Sequence, residues 1–568
     1  MQLDGVDLRY IQLGKVELVR RIYAAVRDHN WNTIAGTVSD VALTEDAGGF
    51  ELTFAVSHRS EDIDFGWEGR IAGTADGRVE LTMTGRAAQP LLYNRIGFCV
   101  LHPWRECAGQ PFRGETPDGP IAGTLPRLIA PQRFENGVYV PLFPSVHRLE
   151  IDIAGAFTTV FEFEGDLFET EDQRNFGDAS FKTYCTPLAG GFPLELQAGQ
   201  AITQKVVVYS VGDSPPPAAP TALRLEIGAP TGTRMPPIGV CLAQLPTEEE
   251  LALLRALDPA HLRADVHLAD PDWPQALEAA LRVCRRAGTA LELAVFVRAD
   301  HSTELDRLSR ALAGTELARV LVAPEGAQTA TQEETTAPGL VILAREHLGR
   351  PDVPHAGGTD MYFCELNRTR PRTEVMDGIF WSLNPQVHAF DDFSLLETPE
   401  TLGEQVRAAR SFAGGKQLFI GPLTLRRRYN VNATVAEVAP DPADPRQTAP
   451  IAAVWAAANA KYLAEENTRA ITFFEACGPR GVIDGGGTLP AYEALAHLCA
   501  LRDAEVLACR STRPPQMVGL AVRRDGIRTL LAANLTSVAQ MAEVSGLESV
   551  TRIQLAPYEL VRIDSPHV

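Results

Sequence analysis

The chain has 568 residues, 45% hydrophobic and 22% charged, with 52 lysines and arginines against 72 aspartates and glutamates, a formal net charge of −20. That mix excludes a disordered or collagen-like polymer and gives core enough for about three domains of roughly 100–200 residues. The acidic balance opposes any partner that needs a basic footprint, so no nucleic-acid partner is expected.

Over residues 1–222, short period-two runs near 6–13, 50–56, 78–83, 96–101, 158–163 and 201–209 are broken by glycine and aspartate. This rhythm predicts an N-terminal antiparallel β-sandwich. Asp213-Ser214-Pro215-Pro216-Pro217-Ala218-Ala219-Pro220 reads as an extended, proline-fixed linker. Between 235 and 505, apolar runs near 238–242, 262–268, 290–297, 318–323, 354–359, 379–383, 417–420 and 470–474 alternate with amphipathic stretches near 248–257, 273–287, 303–313, 337–348, 399–412, 450–465 and 491–501. Eight buried-strand candidates in this order predict a central (β/α)8 TIM barrel. A doubly wound sheet is the alternative, but no GxGxxG or GxxxxGK[ST] follows any of the strands. Alternation returns in 506–568, near 517–522, 528–533, 549–555 and 559–564, predicting a small C-terminal β domain.

No run of eighteen apolar residues occurs, and the N-terminus has neither the basic nor the apolar region of an export signal. Nine cysteines without a CxxC pair read as reduced thiols. A cytoplasmic protein with no membrane partner is the expectation, and self-association is left open.

In a barrel of this kind the chemistry sits where the strands end at their C-terminal edge. After the fifth strand come Asp360, Glu365, Asn367 and Arg368; after the sixth, Asn384, His388, Asp391 and Asp392; after the eighth, Glu475 before a Gly-Pro turn. Glu365 and Glu475 are the candidate carboxylate pair and His388 the candidate proton-transfer group, because acid–base catalysis needs groups that titrate near the working pH. Asp360, Asn367, Arg368, Asn384, Asp391 and Arg426 are candidates for substrate binding. Each has a bland alternative: a carboxylate after a strand can cap a helix or pair with arginine, and Arg426-Arg427-Arg428 can be a solvated charge run. Glu397, before Thr398-Pro399, reads as a helix-dipole residue at a helix start with proline in its first position. There is no GxSxG elbow and no HExxH pair, so a serine hydrolase and a zinc protease are set aside, and no cofactor or metal is expected.

A family resemblance adds to this. The segment from Phe168 to Tyr184, FETEDQRNFGDASFKTY, is similar to the EDQRN…DASYKTY stretch of the D-apionate lactonase family. Arg9-Tyr10-Ile11, Val26-Arg27-Asp28 with Trp31, Asn94-Arg95-Ile96-Gly97-Phe98, Leu101-His102-Pro103, Phe363 with Glu365-Leu366-Asn367-Arg368, Asn384 to Asp391, and Phe474-Glu475 with Gly478-Pro479-Arg480-Gly481 extend it. The resemblance implies hydrolysis of D-apionolactone to D-apionate in apiose catabolism; no residue roles are carried over. Asp172, Arg174, Asn175, Asp178, Lys182 and Tyr184 are expected to form an interdomain polar network, as buried charge pairs that fix an arrangement, or one wall of the site. The working expectation is a sugar lactonase, a carboxylic ester hydrolase. In it Glu365 or Glu475 activates water and the other, or His388, protonates the leaving oxygen. A glycoside hydrolase using Glu365 and Glu475, or a non-catalytic carbohydrate-binding protein, would use the same mouth.

Overall fold

In the computed structural model the described residues are 1–135, 138–153, 157–212, 222–326, 335–428 and 443–566. The 213–220 linker therefore lies outside them. The described residues divide into two compact units: 1–175 with 179–212, and the remainder, which includes the short segment 176–178.

The first unit is an antiparallel sandwich. One sheet orders Gln2–Asp4, Asp7–Leu13, Val16–Asp28, Leu91–Pro103, Ser180–Tyr184 and Glu169–Glu171; the other has nine strands, from Gly119–Thr124 across to Gly36–Asp46. Strand Val79–Ala87 shows the cause: its residues alternate buried and exposed along the pleat, and Leu81 and Met83 enter a core shared with Ile22, Val26, Ile96 and Phe98 of the first sheet. Leu91–Pro103, in contrast, is buried along nearly its whole length. Both faces of that strand are covered, the second by a smaller cluster of Tyr23, Ala25, Cys99, Leu101, Tyr184 and Leu188.

The second unit holds a closed barrel of eight parallel strands, β1 (Ile238–Cys241), β2 (His261–His267), β3 (Ala290–Val297), β4 (Leu317–Pro324), β5 (His355–Gly358), β6 (Gly378–Leu383), β7 (Gln417–Leu423) and β8 (Ala470–Cys477), with β8 pairing back to β1. The helices are α1 (Glu248–Leu257), α2 (Trp273–Ala287), α3 (Ser302–Ala311), α4 (Pro338–Leu348), α5 (Phe363–Thr369), α6 (Asp392–Phe412), α7 (Pro450–Glu465) and α8 (Pro490–Ala500). Ala294, Phe296, Leu321, Ala323, Ala356, Phe380, Phe419 and Ala470 form one cluster, drawn from six of the strands, and fill the barrel interior.

Two elements depart from the sequence reading. Helix α6 begins at Asp392 rather than near Pro399, which lies inside it. An interior proline removes the amide that would bond the Leu395 carbonyl, and the Thr398 hydroxyl donates to that carbonyl instead, at 2.8 Å. Arg224–Arg234, left unassigned, forms an inner strand of the last sheet, between Gln540–Ser545 and Glu505–Ser511. Its register slips around Pro230, which is why Gly228, Pro230 and Gly232 masked it as a strand. All nine cysteines are free thiols, eight of them buried. Among the described residues, no helix is long and apolar enough to cross a membrane.

Candidate active site at the barrel mouth

Strand β2 reads His261-Leu262-Arg263-Ala264-Asp265-Val266-His267, polar at every second position. With a period of two, one set of side chains meets the surrounding helices and the other enters the barrel, so this strand sends a polar stripe inward. Arg263 is fully buried. Its Nε donates to Asp265 Oδ1 at 2.8 Å, its Nη1 to the Gly421 carbonyl at 3.0 Å, and its Nη2 to Asp360 Oδ1. Arg428, beyond β7, closes the figure: Nη1 donates to both Asp360 oxygens at 2.8 Å and Nη2 to Asp265 Oδ2. Two guanidiniums and two carboxylates thus alternate in a ring. Burial alone would raise the Asp265 carboxyl, but Arg263 and Arg428 outweigh it and hold it well below the usual carboxylate range. The Arg428 amide also donates to Tyr362 Oη at 3.0 Å.

At the end of the same strand His267 stacks on Phe296 with ring centroids 3.9 Å apart, and its Nδ1 lies 2.9 Å from Glu325 Oε1, just past β4. Burial would lower the imidazole, yet the bond to Glu325 and its charge raise it above the ordinary value.

Glu475 reaches this layer through a bulge. Val240 pairs with Phe473 but Cys241 pairs with Glu475, so Phe474 is an extra residue, and its φ of 34° marks the kink. Phe474 is buried against Trp455 of α7, with centroids 5.7 Å apart, so it shares the outer face with Phe473. Inner-face alternation from Ala470 and Thr472 then resumes at Glu475 instead of Phe474. Cys241 is paired on its other side with Arg263, which sets Glu475 and Arg263 at one level across β1. Burial raises the half-buried Glu475 carboxyl, and Arg480 and Arg428 offset only part of that.

The remaining candidates fall into separate groups. Asp360 is committed to Arg263 and Arg428. Glu365 turns back along α5, accepting from the Tyr362 amide at 3.2 Å, with Arg368 Nη2 at 3.8 Å. Arg368 also reaches Cys364 Sγ at 3.4 Å, and Asn367 Oδ1 accepts from Arg370 at 3.1 and 3.2 Å. Asn384 Oδ1 accepts from the Gln386 amide at 3.1 Å, while its Nδ2 is buried with no acceptor among the described residues. His388 Nδ1 lies 2.7 Å from Asp178 Oδ2, and Phe176 meets the imidazole edge-on at 4.7 Å; residues 176–178 of the long motif thus serve the barrel unit. Arg426 Nε lies 3.0 Å from Asp444, whose carboxyl is lowered to about 2 because Arg446 and Gln386 outweigh its burial.

Asp391 caps α6, its Oδ1 accepting from the Ser394 amide at 2.9 Å. Asp391→Ala is therefore expected to cost about 1 kcal/mol of stability in urea denaturation and to leave KM unchanged; a raised KM would return it to the substrate.

The sequence names Arg428 only within the run 426–428, and Arg263, Asp265, His267, Glu325 and Tyr362 are not among its candidates. The polar alternation of β2 is the signal for Arg263, Asp265 and His267. Among the described residues, no group of three or more His, Cys, Asp or Glu side chains is arranged to hold a metal.

Two family models match the chain: the D-apionate lactonase N-terminal domain over residues 1–213 and the D-apionate lactonase TIM barrel domain over residues 240–503. A D-apionate lactonase from Brucella anthropi is 29% identical across 98% of this chain and 94% of its own length. Among solved structures, a GH30 endoxylanase from Clostridium papyrosolvens C71 covers 61% of this chain and 100% of its own at 10% identity and a TM-score of 0.42. A beta-arabinopyranosidase covers 99% and 97% at 11% identity and a TM-score of 0.31.

Proposed function

Because the chain belongs to the D-apionate lactonase family, we propose that it hydrolyses D-apionolactone to D-apionate at the barrel mouth, with Glu475 as general base. The observation that carries this reading is the bulge at Phe474, which turns a carboxylate of raised pKa onto the inner face level with Arg263. Bulges beside active sites commonly re-aim one side chain in this way.

In this mechanism Glu475 removes a proton from water as the oxygen attacks the lactone carbonyl carbon. The carbonyl π pair moves to oxygen, and the oxyanion faces the N–H edge of Arg428, the more exposed arginine of the charge-balanced ring. Collapse re-forms the carbonyl and breaks the bond to the ring oxygen, which takes a proton from His267 and leaves as a hydroxyl. Glu325 suits His267 for that role by keeping its imidazole protonated to higher pH. The products are one carboxylate and one hydroxyl on the same molecule, with a proton released. Asn384 Nδ2 and His388, both past the end of β6, orient substrate hydroxyls. Glu365 has its carboxylate engaged by α5 and supports the loop rather than the reaction.

The test is acid release from D-apionolactone by the purified protein, run beside a panel of chromogenic glycosides. Lactone turnover without glycoside cleavage supports the reading, and glycoside cleavage alone would replace it with glycosidase chemistry. A base must be ionised to act, so kcat/KM is expected to fall on the acid side with an apparent pKa above the ordinary glutamate value, and this limb should disappear in Glu475→Gln.

A further inference from the structure

Several residues of the family motifs belong to the first unit. Arg27, Trp31, Arg95, Lys182 and Tyr184 come together in the first unit, on the sheet face opposite the sandwich core. Arg27 and Arg95 are direct partners across neighbouring antiparallel strands, and both are buried, at 5% and 3% exposure. Like charges so placed repel one another, and taking them from water adds a desolvation cost. Burial and Arg95 together lower the Arg27 guanidinium below its ordinary value.

Two carboxylates lie nearby, and Glu169 Oε2 is buried without a donor among the described residues. Glu171 is 3.1 Å from the buried Lys182 ammonium. Glu169 accepts from Tyr184 Oη and from the Leu188 amide, each at 2.8 Å, and burial pushes its carboxyl up. Arg95 itself donates no hydrogen bond to any described residue; its Nε is buried without an acceptor, and its guanidinium lies over the Tyr184 ring at 3.7 Å and the Trp31 ring at 5.6 Å. Trp31 stands at a φ of 65°, which bulky residues rarely adopt. Asp28 holds it there, accepting from the Asn30 amide and the Asn32 amide at 2.8 Å each and from Asn32 Nδ2 at 3.0 Å. Phe192 packs edge-on against its other side at 5.2 Å.

We propose that the first unit carries an anion site, centred on Arg95 between Trp31 and Tyr184, which takes the carboxylate of a small polyhydroxy acid. The planar guanidinium suits a bidentate carboxylate, and a flat indole suits the C–H face of a short sugar-acid chain. The choice of a sugar acid, the class of the proposed product, rests on the lactonase reading; the anion site itself rests only on Arg95 and its surroundings.

The test is titration of the full chain with sodium D-gluconate, sorbitol and inorganic phosphate, followed by calorimetry and tryptophan fluorescence. Gluconate is expected to bind and sorbitol not. Arg95→Met should weaken gluconate at least about tenfold, Trp31→Phe should remove the fluorescence change, and Arg552→Met, at an exposed arginine of the last sheet, should bind as the native chain does. Should Arg95→Met fail to fold, Arg95→Lys keeps the charge, loses the fork, and is expected to bind more weakly. Phosphate binding in place of gluconate would overturn the ligand class. Gluconate binding that survives both Arg95 variants, or falls as far in Arg552→Met, would overturn the site, as would no binding of any anion. Because binding is read without turnover, failure of the lactonase reading shows up separately, in the acid-release assay.

Discussion

Glu475→Gln is expected to lower kcat on D-apionolactone by roughly 10²- to 10⁴-fold, the range a positioned general base contributes. The same variant should be at least as stable as the native chain at pH 7, and this pairing separates a functional carboxylate from a structural one. The sign follows from its raised pKa in the fold. A carboxyl whose folded pKa exceeds its unfolded value, about 4.3 for glutamate, binds more protons folded than unfolded between the two values. Stability then falls as pH rises through that window, so ionised Glu475 works against the fold at neutral pH. Glutamine removes that cost, and the advantage should vanish below about pH 4, where both states of the native chain are protonated. Stopped-time acid release and denaturant melts at pH 4 and pH 7 read both effects. Near-native turnover in a folded Glu475→Gln protein would sink the assignment, and a large loss of stability at pH 7 would make Glu475 a packing residue.

The route to Glu475 also shows where sequence reading works and where it stops. Its place near the C-terminal end of the eighth strand is visible, although the strand runs on to Cys477 and holds Glu475 inside it, because strands and helices of a barrel announce themselves by apolar faces that must be buried. Its direction was not visible: alternation counted from Ala470 and Thr472 points Glu475 outward, and the bulge at Phe474 reverses it. A bulge depends on which neighbour a strand finds, and that is a tertiary fact. The opposite holds on β2, where His261, Arg263, Asp265 and His267 are legible as an alternating stripe, yet a search for apolar runs sees only a strand near 262–268. Pro399 misled for a third reason. A proline usually marks a helix start, and only the Thr398 hydroxyl, supplying the Leu395 carbonyl, makes it tolerable inside α6. Arg428 stood beside Arg426 in one charge run, and nothing local distinguishes the one that reaches Asp360 from the one that reaches Asp444.

That difference between the two arginines leads to the second large effect. Asp360 is 5% exposed and bridges Arg263 and Arg428, so Asp360→Asn leaves two guanidiniums sharing one neutral amide and an interior with an uncompensated positive charge. Breaking a buried pair by removing one partner costs about 3–5 kcal/mol, a large share of the roughly 5–15 kcal/mol that holds a domain folded. Asp360→Asn is therefore expected to lower the urea midpoint sharply and to abolish lactone turnover, because the arginine proposed to face the oxyanion loses the carboxylate that aims it. Arg428→Met approaches the ring from its more exposed side, where the side chain is 19% accessible. It should be tolerated better in stability while still losing turnover. The double variant decides whether the ring acts as a unit. With Arg428 already gone, removing the Asp360 charge should cost less than it does in the native chain, by a coupling of about 0.5–3 kcal/mol. Strict additivity would mean that Asp360 and Arg428 act independently, and the barrel mouth would then be a set of separate ion pairs rather than one electrostatic frame around Glu475.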